Sequence, residues 1–224
     1  RAAELYESVG MLAEAAGGLV SSTAVTLSFA RRSRGQDGGA RVDQLASGIL
    51  IAWSVMFARV VVEVLVVNVA LVQQVLMPFA AMAIAAAAFA LFYYRKGSAE
   101  PGNQDVPLRN PFSLTSAVKF AAFFAVVLLV VAFVQARFPG EGLYVLAALA
   151  GLTDVDAITL SMAQYASRGG DARTAVGAIV TASLANTVVK AGIVAVLGAP
   201  GLRLRVLAGM VAILVAGVVA LLAF

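Results

Sequence analysis

The 224-residue chain contains no cysteine and no histidine, and only 12% of its residues are charged. Without cysteine there is no thiol chemistry and no disulfide framework. Without histidine the chain lacks the commonest metal ligand and the side chain that ordinarily titrates near neutral pH. A soluble domain carries roughly 25% charged residues and about 45–50% apolar ones, whereas this chain is 62% hydrophobic. That balance excludes a water-soluble enzyme, a disordered segment and a DNA-binding domain. The formal net charge is +4, but the basic residues are spread among connecting segments and form no stripe suited to nucleic acid. No nucleophile elbow, Walker A loop, zinc-protease helix or dinucleotide-binding glycine pattern is present, so the chain reads as a non-enzyme. No signal peptide opens it, and the start at Arg1 reads as a processed chain or a piece of a longer protein.

What remains is long apolar runs. A bilayer-spanning helix needs roughly 20 mostly apolar residues, and seven segments approach this: A (9–30), B (45–72), C (75–94), D (114–138), E (143–166), F (174–197) and G (204–224). The runs are rich in Ala and Leu and lack period-2 alternation, so helices are expected and strands are not. The fold class is therefore an all-α integral membrane protein of about seven transmembrane helices. Its expected organisation is a three-helix segment over 1–94, a cytoplasmic loop over 95–113, a linking helix over 114–138 and a second three-helix segment over 139–224. The A–B, C–D and E–F loops and their flanks carry about ten basic residues, against about four on the other side (Arg1, Arg137, Arg203 and Arg205). The positive-inside rule places those three loops in the cytoplasm.

The two three-helix segments resemble each other. Gly18-Leu19-Val20-Ser21-Ser22-Thr23-Ala24-Val25-Thr26-Leu27-Ser28 matches Gly151-Leu152-Thr153-Asp154-Val155-Asp156-Ala157-Ile158-Thr159-Leu160-Ser161. Each is followed by a basic, double-glycine loop and then by a span with a polar pair at i, i+4: Arg59 and Glu63 in B, Asn186 and Lys190 in F. Seven spans in simple alternation make this a parallel repeat, with helices broken near Gly18 and Gly151.

Asp154 and Asp156 lie near the middle of E, where each acid costs roughly 2.5–3.5 kcal/mol on the insertion scale. Such a segment belongs inside a bundle with its acids paired, protonated or facing water. On an unbroken helix the two carboxylates diverge by about 200°, and unwinding at Gly151 would let them converge. Lys190 is the expected counter-charge. Thr153, Thr159 and Asn186 offer neutral oxygen ligands, which makes Asp154 and Asp156 the candidate metal or proton site. Arg59 and Glu63 form a secondary pair along their own helix. Ser21, Ser22, Thr23 and Thr26 supply the equivalent hydroxyls in A, where packing between helices is the simpler role. A hydrolytic aspartyl dyad comes from two separate segments, so the adjacent Asp-Val-Asp arrangement does not suit one.

Four stretches carry a family resemblance: Gly-Leu-Val-Ser-Ser-Thr at 18–23, Leu-Arg-Asn-Pro-Phe at 108–112, Gly-Leu-Thr-Asp-Val-Asp-Ala-Ile-Thr-Leu-Ser at 151–161 and Ala-Asn-Thr-Val-Val-Lys-Ala at 185–191. Together they look like the C-terminal membrane domain, of unassigned function, in MgtC/SapB-type bacterial proteins. The resemblance implies a bacterial inner-membrane location, a link to magnesium or ion homeostasis, and a preceding MgtC-like domain absent from this chain. It implies no catalytic residues and no cofactor beyond a bound cation. Two functions compete at this level. One is a transporter or channel component for a small cation (Mg²⁺, Na⁺ or H⁺). The other is a non-transporting module that docks or regulates a partner membrane protein. The lipid bilayer is the expected partner in both, and a homo-oligomer is compatible with both.

Overall fold

The computed structural model describes residues 21–35, 41–97, 133 and 141–223. Seven helices have described bounds: α1 (Ser22–Arg32), α2 (Val42–Val67), α3 (Val69–Gly97), α4 (Glu141–Gly151), α5 (Asp156–Ser167), α6 (Ala172–Leu197) and α7 (Pro200–Leu222). No strand occurs among the described residues. α2, α3, α6 and α7 are long and apolar enough to cross a bilayer. Spans B, C, F and G are thus helices. B ends at Val67, five residues earlier than expected, and a one-residue break at Asn68 starts α3. Span D, the Gly18 break, the 108–112 stretch and the first half of span A lie outside the described residues, apart from Phe133.

The helices bury narrow stripes and expose apolar flanks. In α2, Leu45, Ile49, Leu50, Trp53, Met56, Phe57, Val60 and Val64 are buried at helical spacing. In α3 the buried seam is Leu71, Val75, Phe79, Met82, Ala86, Ala90 and Tyr93, one residue every three or four. Outside these stripes Val66 and Leu222 are 80% exposed and Leu204 73%. A soluble monomer rarely leaves contiguous apolar surface on this scale, whereas hydrocarbon solvates it at no cost.

The chain forms two compact units, each drawing on both three-helix segments. The first contains α1, residues 42–56 of α2, 82–97 of α3, 190–197 of α6 and 200–214 of α7. It gathers one set of helix ends. Arg34 Nη2 donates to Val196 O (2.7 Å), Ala199 N–H to Ser33 Oγ (2.8 Å), and Gln44 Nε2 to Gly97 O (3.3 Å). Asp43 accepts from Arg205 Nε at 2.6 Å and Nη2 at 3.1 Å. The end of α1 and the α6–α7 turn therefore lie against each other.

The second unit is built around a broken helix. It comprises residues 57–67 of α2, 69–81 of α3, 172–189 of α6, 215–222 of α7, and all of α4 and α5. The segment expected as one span, E, is two helices of 11 and 12 residues joined by residues 152–155. At 1.5 Å per residue they are about 16 and 18 Å long, each roughly half of a hydrocarbon core of about 30 Å. Tyr144, near the start of α4, packs on Gly177 near the start of α6. Gly151, at the end of α4, meets Ala182 and Asn186 farther along α6. α4 thus runs alongside α6 in the same direction. α5 then returns, because its end at Ser167 is joined to the start of α6 by only residues 168–171, and Gly170 touches Tyr165 there. The pair is a helical hairpin. α2 runs from the first unit into the second, and α6 from the second into the first.

Candidate functional site

The hairpin turn is built from Gly151. A Cβ at this position would lie 2.2 Å from Ala182 O, so only glycine allows α4 to approach the α6 backbone this closely. The close approach lets the buried Asn186 donate from Nδ2 to Gly151 O at 2.8 Å. The other carbonyls released at the end of α4 are satisfied locally. Leu149 O accepts from Leu152 N–H, and Ala150 O accepts from Thr153 N–H, Asp154 N–H and the Thr153 hydroxyl. Such accounting is required wherever irregular backbone lies at membrane depth. Thr153 and Asn186, both expected as cation ligands, are here committed to the turn.

The two acids divide their work. Asp154 Oδ1 accepts from the Asp156 N–H at 3.0 Å, a local turn that starts α5. Asp156 reaches across to α2, where both its carboxylate oxygens accept from Arg59 Nη2, Oδ2 at 2.7 Å. Arg59 Nε also faces Glu63 Oε1 at 3.3 Å, one turn along α2. The expected Arg59–Glu63 pair is thus present, and it is shared with Asp156. One guanidinium lies among three carboxylates: Glu63, Asp154 and Asp156. All three ion-pairing side chains are about three-quarters or more buried. Among the described residues no group of three or more Asp, Glu, His or Cys side chains is arranged to hold a metal ion.

Thr159 lies one turn beyond Asp156 on α5. It is fully buried, and its hydroxyl has no hydrogen-bond partner in the protein. The other helical hydroxyls of this unit mostly bond back one turn: Ser161 to Ala157 O, Thr181 to Gly177 O, Ser183 to Ile179 O and Thr187 to Ser183 O. Glu63 Oε2 is likewise buried without a partner.

Lys190 belongs to the first unit, where its ammonium, 2% exposed, donates to Ser22 Oγ at 2.6 Å and lies 2.7 Å from Met56 Sδ. Ser22 stands at the start of α1, behind the cap made by Ser21 Oγ on Ala24 N–H. Thr26 donates to Ser22 O and accepts from Trp53 Nε1 at 3.0 Å, while Thr23 is half-buried. The cation bonded to Asp156 is therefore Arg59, whereas Lys190 serves the hydroxyls of A. The i, i+4 polar pairs have separate partners: Arg59 bonds Asp156, Asn186 bonds the Gly151 carbonyl, and Lys190 bonds Ser22. Which pair meets which turn depends on the helix directions, and no spacing within one span reveals that.

A helical chain with four helices of bilayer length and a hairpin of two shorter helices has the architecture of a polytopic membrane protein. The chain belongs to the family described as a domain of unknown function (DUF4010), whose model matches residues 5–198. An uncharacterized protein of Aquifex aeolicus (strain VF5) is 32% identical over 212 residues, covering 89% of this chain and 87% of that protein. No solved structure matches the chain.

Proposed function

We propose that this protein is a component of a membrane transporter or channel for a small cation, with the hairpin turn as its site. The observation that carries the reading is the turn itself: a broken helix that ends at membrane depth on Asp154 and Asp156, against Arg59 and Glu63. Broken helices at this depth are tolerated where they line a cavity or lie buried in protein, and ionisable groups there mark ion pathways. The ends gathered in the first unit carry Arg31, Arg32, Arg34, Arg41, Arg95, Lys96, Arg203 and Arg205, while the α5–α6 turn carries Arg168 and Arg173. By the positive-inside rule the first set is read as cytoplasmic. The location is a bacterial inner membrane, and the MgtC/SapB-like resemblance ties the activity to ion homeostasis.

The test is flux in proteoliposomes with Mg²⁺, Na⁺ and H⁺ gradients. Wild-type protein is expected to dissipate one of them, and Asp156→Asn to lower that flux at least tenfold. Folded Asp154→Asn and Asp156→Asn variants that leave flux unchanged would overturn the proposal.

A further inference from the structure

We propose that the first unit binds one acyl chain of an anionic glycerophospholipid, in a groove between α2 and α3. The site uses no residue of the hairpin turn, so its test is independent of the transport reading. The groove has a volume of about 290 Å³, and Ser47, Ile51 and Ser54 of α2 face Ala87, Leu91 and Tyr94 of α3 across it. On each helix these positions recur every three or four residues and form one stripe. Serine and alanine hollow the surface along it. The groove opens at the protein surface, where Leu91 is 49% exposed and Ala87 is exposed as well.

Two bonds between the helices give the groove its direction. Ser54 Oγ donates to Ala83 O at 3.1 Å and Gln44 Nε2 to Gly97 O at 3.3 Å, so α2 and α3 are antiparallel here. The end at Ser47 and Tyr94 therefore lies about one turn inside the helix ends, and the other end reaches into the apolar span. Ser47 to Ser54 covers about 10 Å of helix, so the volume corresponds to a channel about 6 Å wide. One extended alkyl chain fits it at the ordinary carbon–carbon contact of about 3.5–4.0 Å. A protein helix, about 10–12 Å across with its side chains, does not.

The mouth selects the lipid. Arg95 continues the stripe of Ala87 and Leu91 at i+4, Lys96 follows it, and both are exposed. Asp43, one turn before Ser47 on α2, is already paired with Arg205. A positive excess remains at the mouth, as an anionic headgroup requires. Just inside it Ser47 is 2% exposed, and its hydroxyl has no hydrogen-bond partner. That is an unused donor at the depth where hydrocarbon meets headgroup. A glycerophospholipid carries an ester carbonyl at this depth, with its chain below and its phosphate above. Rotation of the Ser47 hydroxyl into the groove lets it donate to that carbonyl, while Arg95 and Lys96 meet the phosphate.

The test is native mass spectrometry of delipidated protein in detergent. It is titrated with phosphatidylglycerol, phosphatidylcholine, the diether analogue of phosphatidylglycerol and glycerol phosphate. Wild-type protein is expected to hold one phosphatidylglycerol about tenfold more tightly than phosphatidylcholine, and to hold no glycerol phosphate. Arg95→Gln with Lys96→Gln should bring the two diester lipids within about twofold of each other. Ala87→Phe fills the groove from an exposed position and should remove the site for both. Ser47→Ala should weaken the diester lipid about fivefold and leave the diether lipid, which has no carbonyl, unchanged. Its stability without lipid should not fall, because the hydroxyl has no partner in the protein. Equal affinity for the two headgroups, binding that Ala87→Phe leaves intact, or glycerol phosphate bound as tightly as the whole lipid would overturn the proposal. So would an equal effect of Ser47→Ala on diester and diether lipids, a comparison that decides alone if Ala87→Phe does not fold.

Discussion

Replacing Gly151 by alanine tests the hairpin most directly. The new Cβ would sit 2.2 Å from Ala182 O and 2.8 Å from Ala182 C and Cα. An ordinary carbon–oxygen contact is about 3.3 Å, so α4 must retreat by about 1 Å. The obstacle is helix backbone, which has no rotamer to turn aside. The retreat stretches the 2.8 Å bond from Asn186 Nδ2 to Gly151 O to about 3.8 Å, beyond hydrogen-bonding range. Overpacking contributes about 1–3 kcal/mol and the lost bond about 0.5–1.5 kcal/mol. The helix preference of alanine over glycine returns about 0.5–1 kcal/mol. A net loss of about 2–3 kcal/mol is expected, read by thermal unfolding in detergent micelles. Asn186→Ala removes the same bond from the other side, so the two changes must be non-additive. The double variant should fall short of the sum by about 0.5–1.5 kcal/mol. A Gly151→Ala protein within about 0.5 kcal/mol of wild type, or a strictly additive pair, would refute the close approach as the basis of the turn.

Three further outcomes are expected from the same geometry. Asp156→Asn or Arg59→Gln alone should destabilise the protein by about 1–3 kcal/mol, below the range for fully buried pairs because these side chains are 19% and 25% exposed. The double variant should recover part of that loss in the same melting assay. Hydrogen bonds from the Thr174 hydroxyl and N–H hold the Asp171 carboxyl below its ordinary value of 3.8. Folding stability from this cap is therefore complete above that value and is lost as pH falls through the lower, folded-state value. Asp171→Asn should flatten the acid limb of the melting-temperature curve, and an unchanged limb would contradict the cap. Because the chain has no cysteine, single labels report sidedness cleanly. Arg34→Cys and Ala199→Cys should react with an impermeant maleimide from the same side of the membrane, because these two turns are bonded to each other. Labelling of the two from opposite sides would contradict that contact.

Apolar length and composition were enough to place α2, α3, α6 and α7, since a run of over twenty apolar residues has few other fates. The interruption at Gly151 was also legible, because two acids and a glycine in mid-span make an unbroken lipid-facing helix expensive. Whether the chain then continues across or turns back is a matter of contacts with α6 more than thirty residues away, and local pattern carries no trace of them. The partner of Asp156 was hidden for the same reason. Lys190 and Arg59 are both lone basic residues in apolar spans, and only the helix directions bring Arg59 to the turn. The Asn68 break escaped notice because asparagine between valines reads as one polar residue within a long apolar run. Thr159 was legible as a candidate oxygen ligand, but its missing back-bond is a matter of side-chain rotamer, which sequence does not encode.

The Asn186–Gly151 bond also constrains the order in which the molecule is made. Its two ends are 35 positions apart, with the acceptor emerging from the ribosome first. Neither half of the hairpin is long enough to sit across a bilayer, and its turn exposes a carbonyl and two acids that lipid does not solvate. The hairpin must therefore wait near the membrane surface until α6 has been synthesised, and then be drawn in against it. Maturation of this part of the protein runs against chain order, and a ribosome stalled before Asn186 would leave the site unmade while the earlier helices are already in place.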